Sequence, residues 1–122
     1  MPPSRATPDD FLPLTHLGFH VLLALVDQPR HGYAIVRAVR AESQGRIDPG
    51  TGSFYSVVRG LADQTLLEAV PAPEGETADR RRYYALTPLG RRVLAAESAR
   101  LAGLVRAAYR RGIRQPVKGA GR

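Results

Sequence analysis

The strongest constraint on the fold comes from the helix predicted at the end of the chain, which opens at the sequence TPLG. Thr87 is suited to cap this helix, and Pro88 is suited to its first turn, where the missing proline N–H is not needed. The helical pattern then continues to about Arg111, a length of roughly 36 Å. A single domain of 122 residues cannot cover such a helix along its whole length. Part of it must therefore pack against something other than its own core.

Three amphipathic segments precede that helix. Apolar residues recur at helical spacing from Thr15 to Asp27, from Tyr33 to about Glu42, and from Ser53 onward. Thr15 is expected to cap the first helix. The stretch SQGRIDPGTG, residues 43–52, is rich in glycine and is expected to form the turn between the second and third helices.

Two extended segments lie between the third helix and the last one. They read LLEAV and RRRYYAL, and the breaker-rich stretch PAPEGETAD separates them, which predicts a hairpin with a long tip. Side chains two apart share one side of a strand. Because Leu86 leads into the core, Tyr84 is expected to point inward, and Arg81 and Tyr83 outward.

The order of these elements is that of an α+β winged helix-turn-helix domain, with three helices and a two-stranded wing, followed by a long carboxyl-terminal helix. The expected divisions are a mobile amino-terminal arm at residues 1–13, the winged helix-turn-helix domain at 14–86, the terminal dimerisation helix at 87–111 and a basic flexible tail at 112–122.

The positive charge is concentrated near the end of the chain. The net charge is +7, and residues 87–122 carry nine arginine and lysine residues against the single acidic residue Glu97. A basic chain is typical of proteins that bind nucleic acid or an anionic membrane. The preference for arginine, 17 residues against one lysine, can also reflect genomic base composition. Charge alone leaves the partner open.

No membrane span, metal site or catalytic centre is predicted. The longest apolar run, Val21 to Val26, is far below the roughly 20 residues that cross a bilayer. The amino terminus lacks the pattern of a secretory signal and the chain has no cysteine, so a cytoplasmic location is expected. His16 and His20 share a helix face, but no third ligand lies near them in the sequence. No nucleophile with a base and no phosphate loop is present, so neither an enzyme nor a bound cofactor is expected.

The chain resembles the PadR-like family of bacterial transcriptional regulators. The resemblance lies in the motifs LLALVDQPRHGYAI, GSFYSVVRGL, LLEA and RRYYALTPLGRRVL, and it extends from Leu14 to about Ala108. Chain length is similar to that of the short members, which have a single carboxyl-terminal helix.

Two positions depart from the family pattern. Where the third helix usually opens with Pro-Gly-Thr-Leu-Tyr, this chain has DPGTGSFY. Either Gly52 and Ser53 replace the Gly-Thr pair and DPGT lies in a longer turn, or two residues are inserted; the spacing of the residues that follow favours the first. Thr65 stands where a glycine usually ends the helix, which predicts a less tight turn into the wing.

The resemblance implies a regulator, more specifically a repressor, that binds double-stranded DNA without chemistry. Polar residues on the outward side of the third helix can reach phosphates or base edges. Arg80, Arg81 and Arg82 of the wing can reach phosphate or the minor groove. Acidic residues near the wing tip can neutralise its arginines locally. The candidate DNA-binding residues are Tyr33, Ser53, Tyr55, Ser56, Arg59, Arg80, Arg81 and Tyr83.

The resemblance also implies a homodimer that binds a palindromic promoter operator, with the last helix packed on its partner and the first helix contributing. The apolar stripe of the last helix, interrupted by Glu97, agrees with this. The candidate interface residues are Leu17, Val21, Val93, Leu94, Leu101, Leu104, Val105 and Ala108. Small hydrophobic or aromatic effectors relieve several relatives, although no residue here specifies one. The alternative is a winged-helix module that binds another protein and no DNA.

Overall fold

A computed structural model describes residues 7–73 and 82–114. The elements, in chain order, are a 3-10 helix Pro8–Phe11, α1 His16–Ala24, β1 Arg30–His31, α2 Gly32–Glu42, α3 Thr51–Asp63, β2 Leu67–Val70, β3 Tyr83–Leu86 and α4 Pro88–Arg110. The predicted α+β winged helix-turn-helix fold with a long carboxyl-terminal helix is confirmed.

The core forms where the apolar faces of α1, α2 and α3 meet the start of β2 and the first half of α4. Residues at helical spacing on each helix turn inward together, as Phe54, Val58 and Leu61 do on α3. Fully burying a side chain of this size stabilises the fold by roughly 1.5–3 kcal/mol. The side chains with the least exposed surface are those of Val21, Leu22, Ile35, Val39, Phe54, Leu66, Leu67 and Val93.

Side-chain caps fix where three helices begin. The Thr15 hydroxyl accepts a hydrogen bond from the Gly18 N–H at 2.9 Å, and the Thr87 hydroxyl accepts one from the Gly90 N–H at 2.9 Å. Both threonine caps are as predicted. At α2 the cap is His31, whose Nδ1 accepts from the Ala34 N–H at 3.2 Å.

Helix α3 begins earlier than predicted. Gly50 is its N-cap in an extended conformation, and the Phe54 N–H donates to the Gly50 carbonyl at 2.9 Å. Thr51 and Gly52 are therefore helical, so the interpretation that DPGT lies wholly in a longer turn is wrong. Helix α1, in contrast, stops at Ala24, before the predicted end at Asp27.

The sheet has a third strand that the sequence did not indicate. Its order is β1-β3-β2, and the pairing of Arg30 with Tyr84 and of His31 with Tyr83 adds β1 to the wing. The rings of His31 and Tyr83 meet edge to face, with centroids 5.3 Å apart. Tyr83 is consequently 5% exposed and Tyr84 9%. The prediction that Tyr83 points outward is wrong, because β1 and His31 cover that side of β3.

The turn from α3 into β2 stays tight although it contains a threonine. Thr65 adopts a positive φ of 61°, a conformation that is costly for a β-branched residue. The Leu66 N–H donates to the Leu61 carbonyl and the Thr65 N–H to the Ala62 carbonyl, both at 2.9 Å. The expected loosening is not found, because Thr65 takes the backbone conformation that glycine usually supplies.

The start of α4 packs directly against the turn between α3 and β2. The Thr87 hydroxyl donates to the Thr65 carbonyl at 2.6 Å, and the Thr87 N–H donates to the Leu66 carbonyl at 3.2 Å. A Cβ atom at Gly90 would lie 1.9 Å from the Leu66 carbonyl oxygen. Position 90 therefore requires glycine.

Glu97 fastens the amino-terminal segment to the middle of α4. Its carboxylate is 1% exposed and accepts hydrogen bonds from the Leu14 N–H at 2.9 Å and from the Arg100 guanidinium at 2.6 and 3.0 Å. The hydrogen bond from Arg100 holds the pKa of Glu97 below its ordinary value, against burial, which acts in the opposite direction; the Leu14 N–H adds to the lowering. Glu97 thus anchors the fold at the point where it interrupts the apolar stripe.

Part of the predicted mobile arm is built into the fold. The 3-10 helix Pro8–Phe11 packs beside α4, and Phe11, Leu12 and Leu14 contact the core. Residues 7–13 of the predicted arm therefore belong to the folded domain. Residues 1–6 lie outside the described residues, as do residues 115–122 of the predicted tail.

We expect Gly90→Ala to destabilise the protein by about 3 kcal/mol or more, because the added methyl group overlaps the Leu66 backbone and forces it to move. Gly60→Ala is the matched control, since no atom lies within 4 Å of its Cβ position on α3. It should raise the free energy of unfolding by up to about 1 kcal/mol. Urea unfolding of the two variants measures both effects, and equal stabilities would contradict the close contact.

We expect Glu97→Gln to lower the free energy of unfolding by about 1–3 kcal/mol at pH 7, because charge-assisted hydrogen bonds to Leu14 and Arg100 are weakened. The lowered pKa means that this stabilisation is present above the unfolded-state pKa, about 4.3, and is lost as the pH falls through the folded-state pKa. Urea unfolding between pH 7 and pH 3 should show wild type and variant converging. Glu68→Gln, at an exposed position on β2, is the control; parallel curves for Glu97→Gln would contradict the role of the carboxylate.

Candidate nucleic-acid interface

Helix α3 presents a polar face opposite its buried one. Phe54, Val58 and Leu61 face the core, whereas Ser56, Arg59 and Asp63 are exposed. The exposed three follow one another at spacings of three and four residues, so they form one row along the helix. Ser53 and Tyr55 are also exposed, on either flank of this row. The four α3 residues proposed from the sequence are therefore together and outward.

Tyrosine and arginine side chains from α2, from α3 and from the wing lie along one side of α3. This set is called the border of α3 and consists of Tyr33, Arg37, Tyr55 and Arg82. A pocket of about 230 Å³ is lined by Gly32, Tyr33, Tyr55, Arg82 and Tyr84. Tyr33 and Tyr55 are 57% and 47% exposed. A Cβ atom at Gly32 would lie 3.2 Å from the Tyr55 hydroxyl, so the glycine leaves room for that side chain. Phenolic hydroxyls and a guanidinium thus converge beside the exposed row of α3.

Two arginines lie on this surface. Arg82 was expected, with Arg80 and Arg81, to reach phosphate or the minor groove, whereas Arg37 was not predicted from the sequence. Arg37 lies over the Tyr33 ring, with its guanidinium carbon 5.4 Å from the ring centroid. Its spacing of four residues from Tyr33 on one helix could have indicated it. Arg82 is exposed at the start of the wing strand, and its neighbours depend on the sheet pairing.

Of the three wing residues in the list of candidate DNA contacts, the structure describes only Tyr83. Arg80 and Arg81 lie outside the described residues. Tyr83 is buried against His31, so its assignment to a DNA-contacting surface is wrong. Its neighbour Arg82 is the exposed residue at this end of the strand.

A second surface lies on the far half of α4. Leu101, Leu104 and Val105 are 37%, 55% and 47% exposed, and Ala108 is partly exposed on the same side. Leu17 on α1 is also partly exposed. Ile113, just after α4, is 64% exposed and was not predicted.

Three residues assigned to the dimer interface belong instead to the core of the subunit. Val21 and Val93 have no exposed surface, and Leu94 is 6% exposed. A side chain already covered by its own subunit has almost no area to offer a second one. The apolar stripe of α4 therefore serves two purposes in turn: its first half packs inward, and its second half stays exposed.

A cleft of about 700 Å³ separates α1 from the α2–α3 loop and α4. Leu14, Phe19, Ile47 and Leu101 supply apolar lining, and Arg46, Arg100 and His20 supply polar groups. The Nδ1 atom of His20 is buried without a hydrogen-bond partner among the residues that the structure describes. The cleft combines an apolar wall with polar groups, as small-molecule sites do.

Within residues 7–73 and 82–114, no helix has both the length and the apolar character needed to cross a bilayer.

Three solved structures of bacterial proteins illustrate the shared fold. A PadR family transcription regulator from Clostridium difficile R20291 aligns with a TM-score of 0.67 at 17% identity, over 79% of this chain and 97% of that one, which shows the shared fold. A padr family transcriptional regulator from Eggerthella lenta DSM 2243 aligns with a TM-score of 0.60 at 28% identity, over 78% and 82%. BpsR from Bordetella bronchiseptica, whose DNA binding is regulated by 6-hydroxynicotinic acid, aligns with a TM-score of 0.60 at 25% identity, over 84% and 69%.

The sequence comparisons agree with the fold. An "Uncharacterized 37.1 kDa protein in transposon TN4556" from Streptomyces fradiae is 40% identical over 88 residues, which are 70% of this chain. The chain spans about a quarter of the length of that relative. The family described as "Transcriptional regulator PadR-like family" matches residues 21–96, from the middle of α1 to the middle of α4. The match covers more than half of the chain, including the wing and the exposed face of α3, and the chain therefore belongs to the PadR-like family of transcriptional regulators.

Proposed function

We propose that the protein is a homodimeric repressor that binds double-stranded DNA at a palindromic promoter operator. The observation that carries this proposal is the outward polar row of α3 with tyrosines and arginines beside it. In winged helix-turn-helix proteins the corresponding helix enters the major groove. Repression then follows from occupying the promoter in the cytoplasm, and no catalysis is required.

The residues of the border of α3 support the proposal that the protein contacts the DNA backbone. Tyr33 and Tyr55 hold hydroxyls in exposed positions, and Arg37 and Arg82 hold guanidinium groups next to them. Hydroxyl and guanidinium donors on an exposed surface are the groups that bind DNA phosphates. This border would set the position of the protein on the duplex while α3 faces the bases.

Dimerisation through α4 is supported by its exposed apolar half. Leu101, Leu104 and Val105 lie at helical spacing beyond Glu97, where the subunit core ends. A second copy offers the same stripe, so the surface is self-complementary about a two-fold axis. The two copies of α3 would then meet successive major grooves about 34 Å apart on one side of the duplex.

Regulation by a small hydrophobic or aromatic effector is supported by the cleft beside α1. Phe19 and Ile47 provide an apolar wall, and Arg46 adds a polar group to the lining. BpsR, which shares this fold, has its DNA binding regulated by 6-hydroxynicotinic acid. We propose that an effector of this chemical class would bind in the cleft, next to Leu101 at the start of the exposed stripe.

We expect the wild-type protein to shift DNA from its own upstream region, with affinity that falls steeply as salt rises, because phosphate contacts release counterions. Arg82→Glu should weaken binding at least tenfold and make the slope of log affinity against log salt shallower by about 1. Fluorescence anisotropy at several salt concentrations measures both quantities. Arg111→Glu, an equal charge change at the far end of α4, is the control.

Absent or salt-independent binding by the wild type would contradict DNA binding. If the same preparation is dimeric, that outcome supports the alternative of a protein-interaction module.

We expect Leu104→Glu to weaken dimerisation at least tenfold, because it would bury an unpaired carboxylate between two apolar surfaces. Ala99→Glu, at an exposed position on another side of α4, is the matched control and should leave dimerisation unchanged. Sedimentation velocity across a concentration series measures the equilibrium, and circular dichroism verifies that helix content is retained. A Leu104→Glu protein that sediments like the wild type would exclude this surface.

A further inference from the structure

We propose that Arg59 recognises a guanine in the major groove and sets the base preference at the centre of each operator half-site. This inference rests on the proposed function, because it assumes that α3 enters the groove. It goes further by assigning sequence recognition to one side chain and one base.

Arg59 occupies the middle of the exposed row of α3. Ser56 precedes it by three residues and Asp63 follows it by four, while Phe54, Val58 and Leu61 hold the opposite face in the core. A helix that lies in the groove with this orientation directs Arg59 at the base edges. The flanks of the helix meet the walls of the groove instead.

Of the side chains in this row, the guanidinium of Arg59 is the best suited to recognise a base. Ser56 is short, the Asp63 carboxylate offers only acceptor oxygens, and the Tyr55 hydroxyl lies on the flank, on the side of Gly32. Arg59 has a planar fork of donors, which matches the O6 and N7 acceptors that guanine presents in the major groove. No ion pair or ring contact within residues 7–73 and 82–114 engages this fork.

The charge of the row favours a base over a phosphate as the target of Arg59. Asp63, one turn along, opposes the charge of Arg59, so the row as a whole is close to neutral. A surface shaped to hold phosphates would accumulate positive charge. Such charge is found instead on the border of α3, at Arg37 and Arg82.

The neighbours of Arg59 leave space for close approach. Gly60 and Gly52 have no atom within 4 Å of their Cβ positions, and Ser56 is small. Glycine within a helix costs stability, yet no contact in the fold requires it at position 52 or 60. On the side of Arg59 away from Tyr55, the absence of bulky side chains lets the helix backbone come near the base edges.

The test is a selection of binding sites from a randomised double-stranded DNA library, with sequencing of the bound fraction. It compares the wild type with Arg59→Lys, Arg59→Ala and the border variant Arg82→Lys. Arg59→Lys keeps the charge but loses the fork. The result is a ratio between bases within each variant, so a smaller folded fraction does not change it.

We expect the wild type to prefer guanine at one position of each half-site by roughly tenfold or more. Arg59→Ala should reduce that preference to about threefold or less, with other positions unaltered. Arg59→Lys should lower it by a smaller factor, because its ammonium can still donate to O6 and N7 but lacks the planar fork. Arg59→Lys should keep the wild-type salt slope, and Arg82→Lys should keep the guanine preference.

Retention of the wild-type base preferences in both Arg59 variants, with lower affinity for every sequence, would overturn the assignment and make Arg59 a phosphate contact. A wild-type protein that enriches no DNA at all would overturn it together with the proposed function. The two failures are distinct, because the second is visible before any variant is compared.

Discussion

The contact between Gly90 and the Leu66 backbone holds the two working parts of the molecule together. Because the start of α4 lies against the carbonyl of Leu66, and Thr87 bonds to Thr65 and Leu66, α4 has one position relative to the end of α3. The start of α4 and the end of α3 are therefore joined by direct contacts. If a second subunit holds α4 in place, these contacts also determine the direction in which α3 points.

Elements with a long, regular pattern could be predicted from the sequence, and short ones could not. The spacing of Phe54, Val58 and Leu61 identifies both the helix and its buried face, because the apolar residues recur over two successive turns. Strand β1 has only two residues, too few to show an alternation, and its place in the sheet depends on pairing with distant β3. Tyr83 was misplaced for that reason.

The residues of the candidate site divide in the same way, into those that a regular sequence pattern predicts and those whose surroundings depend on tertiary contacts. Ser56 and Arg59 could be predicted because they lie opposite a well-marked apolar face, whereas the grouping of Arg82 with Tyr33 and Tyr55 depends on how three elements meet. For α4, periodicity gives an apolar stripe but does not say what covers it. Val93 and Leu104 lie on one stripe, yet the first packs in its own core and the second is exposed. Glu97 marks the change, and only its partners Leu14 and Arg100 show that it is an anchor.

The short strand β1 has a consequence for how a duplex would be recognised. It joins the entrance of α2 to β3 by main-chain pairing, so the span from Tyr33 to Arg82 is set when the chain folds. Tyr33 and Arg82 would then lose little conformational entropy when DNA binds. In the proposed complex a preset span would also discriminate by shape. DNA whose groove width matches it would bind without deformation, and stiffer or wider sequences would be disfavoured at positions that no side chain touches.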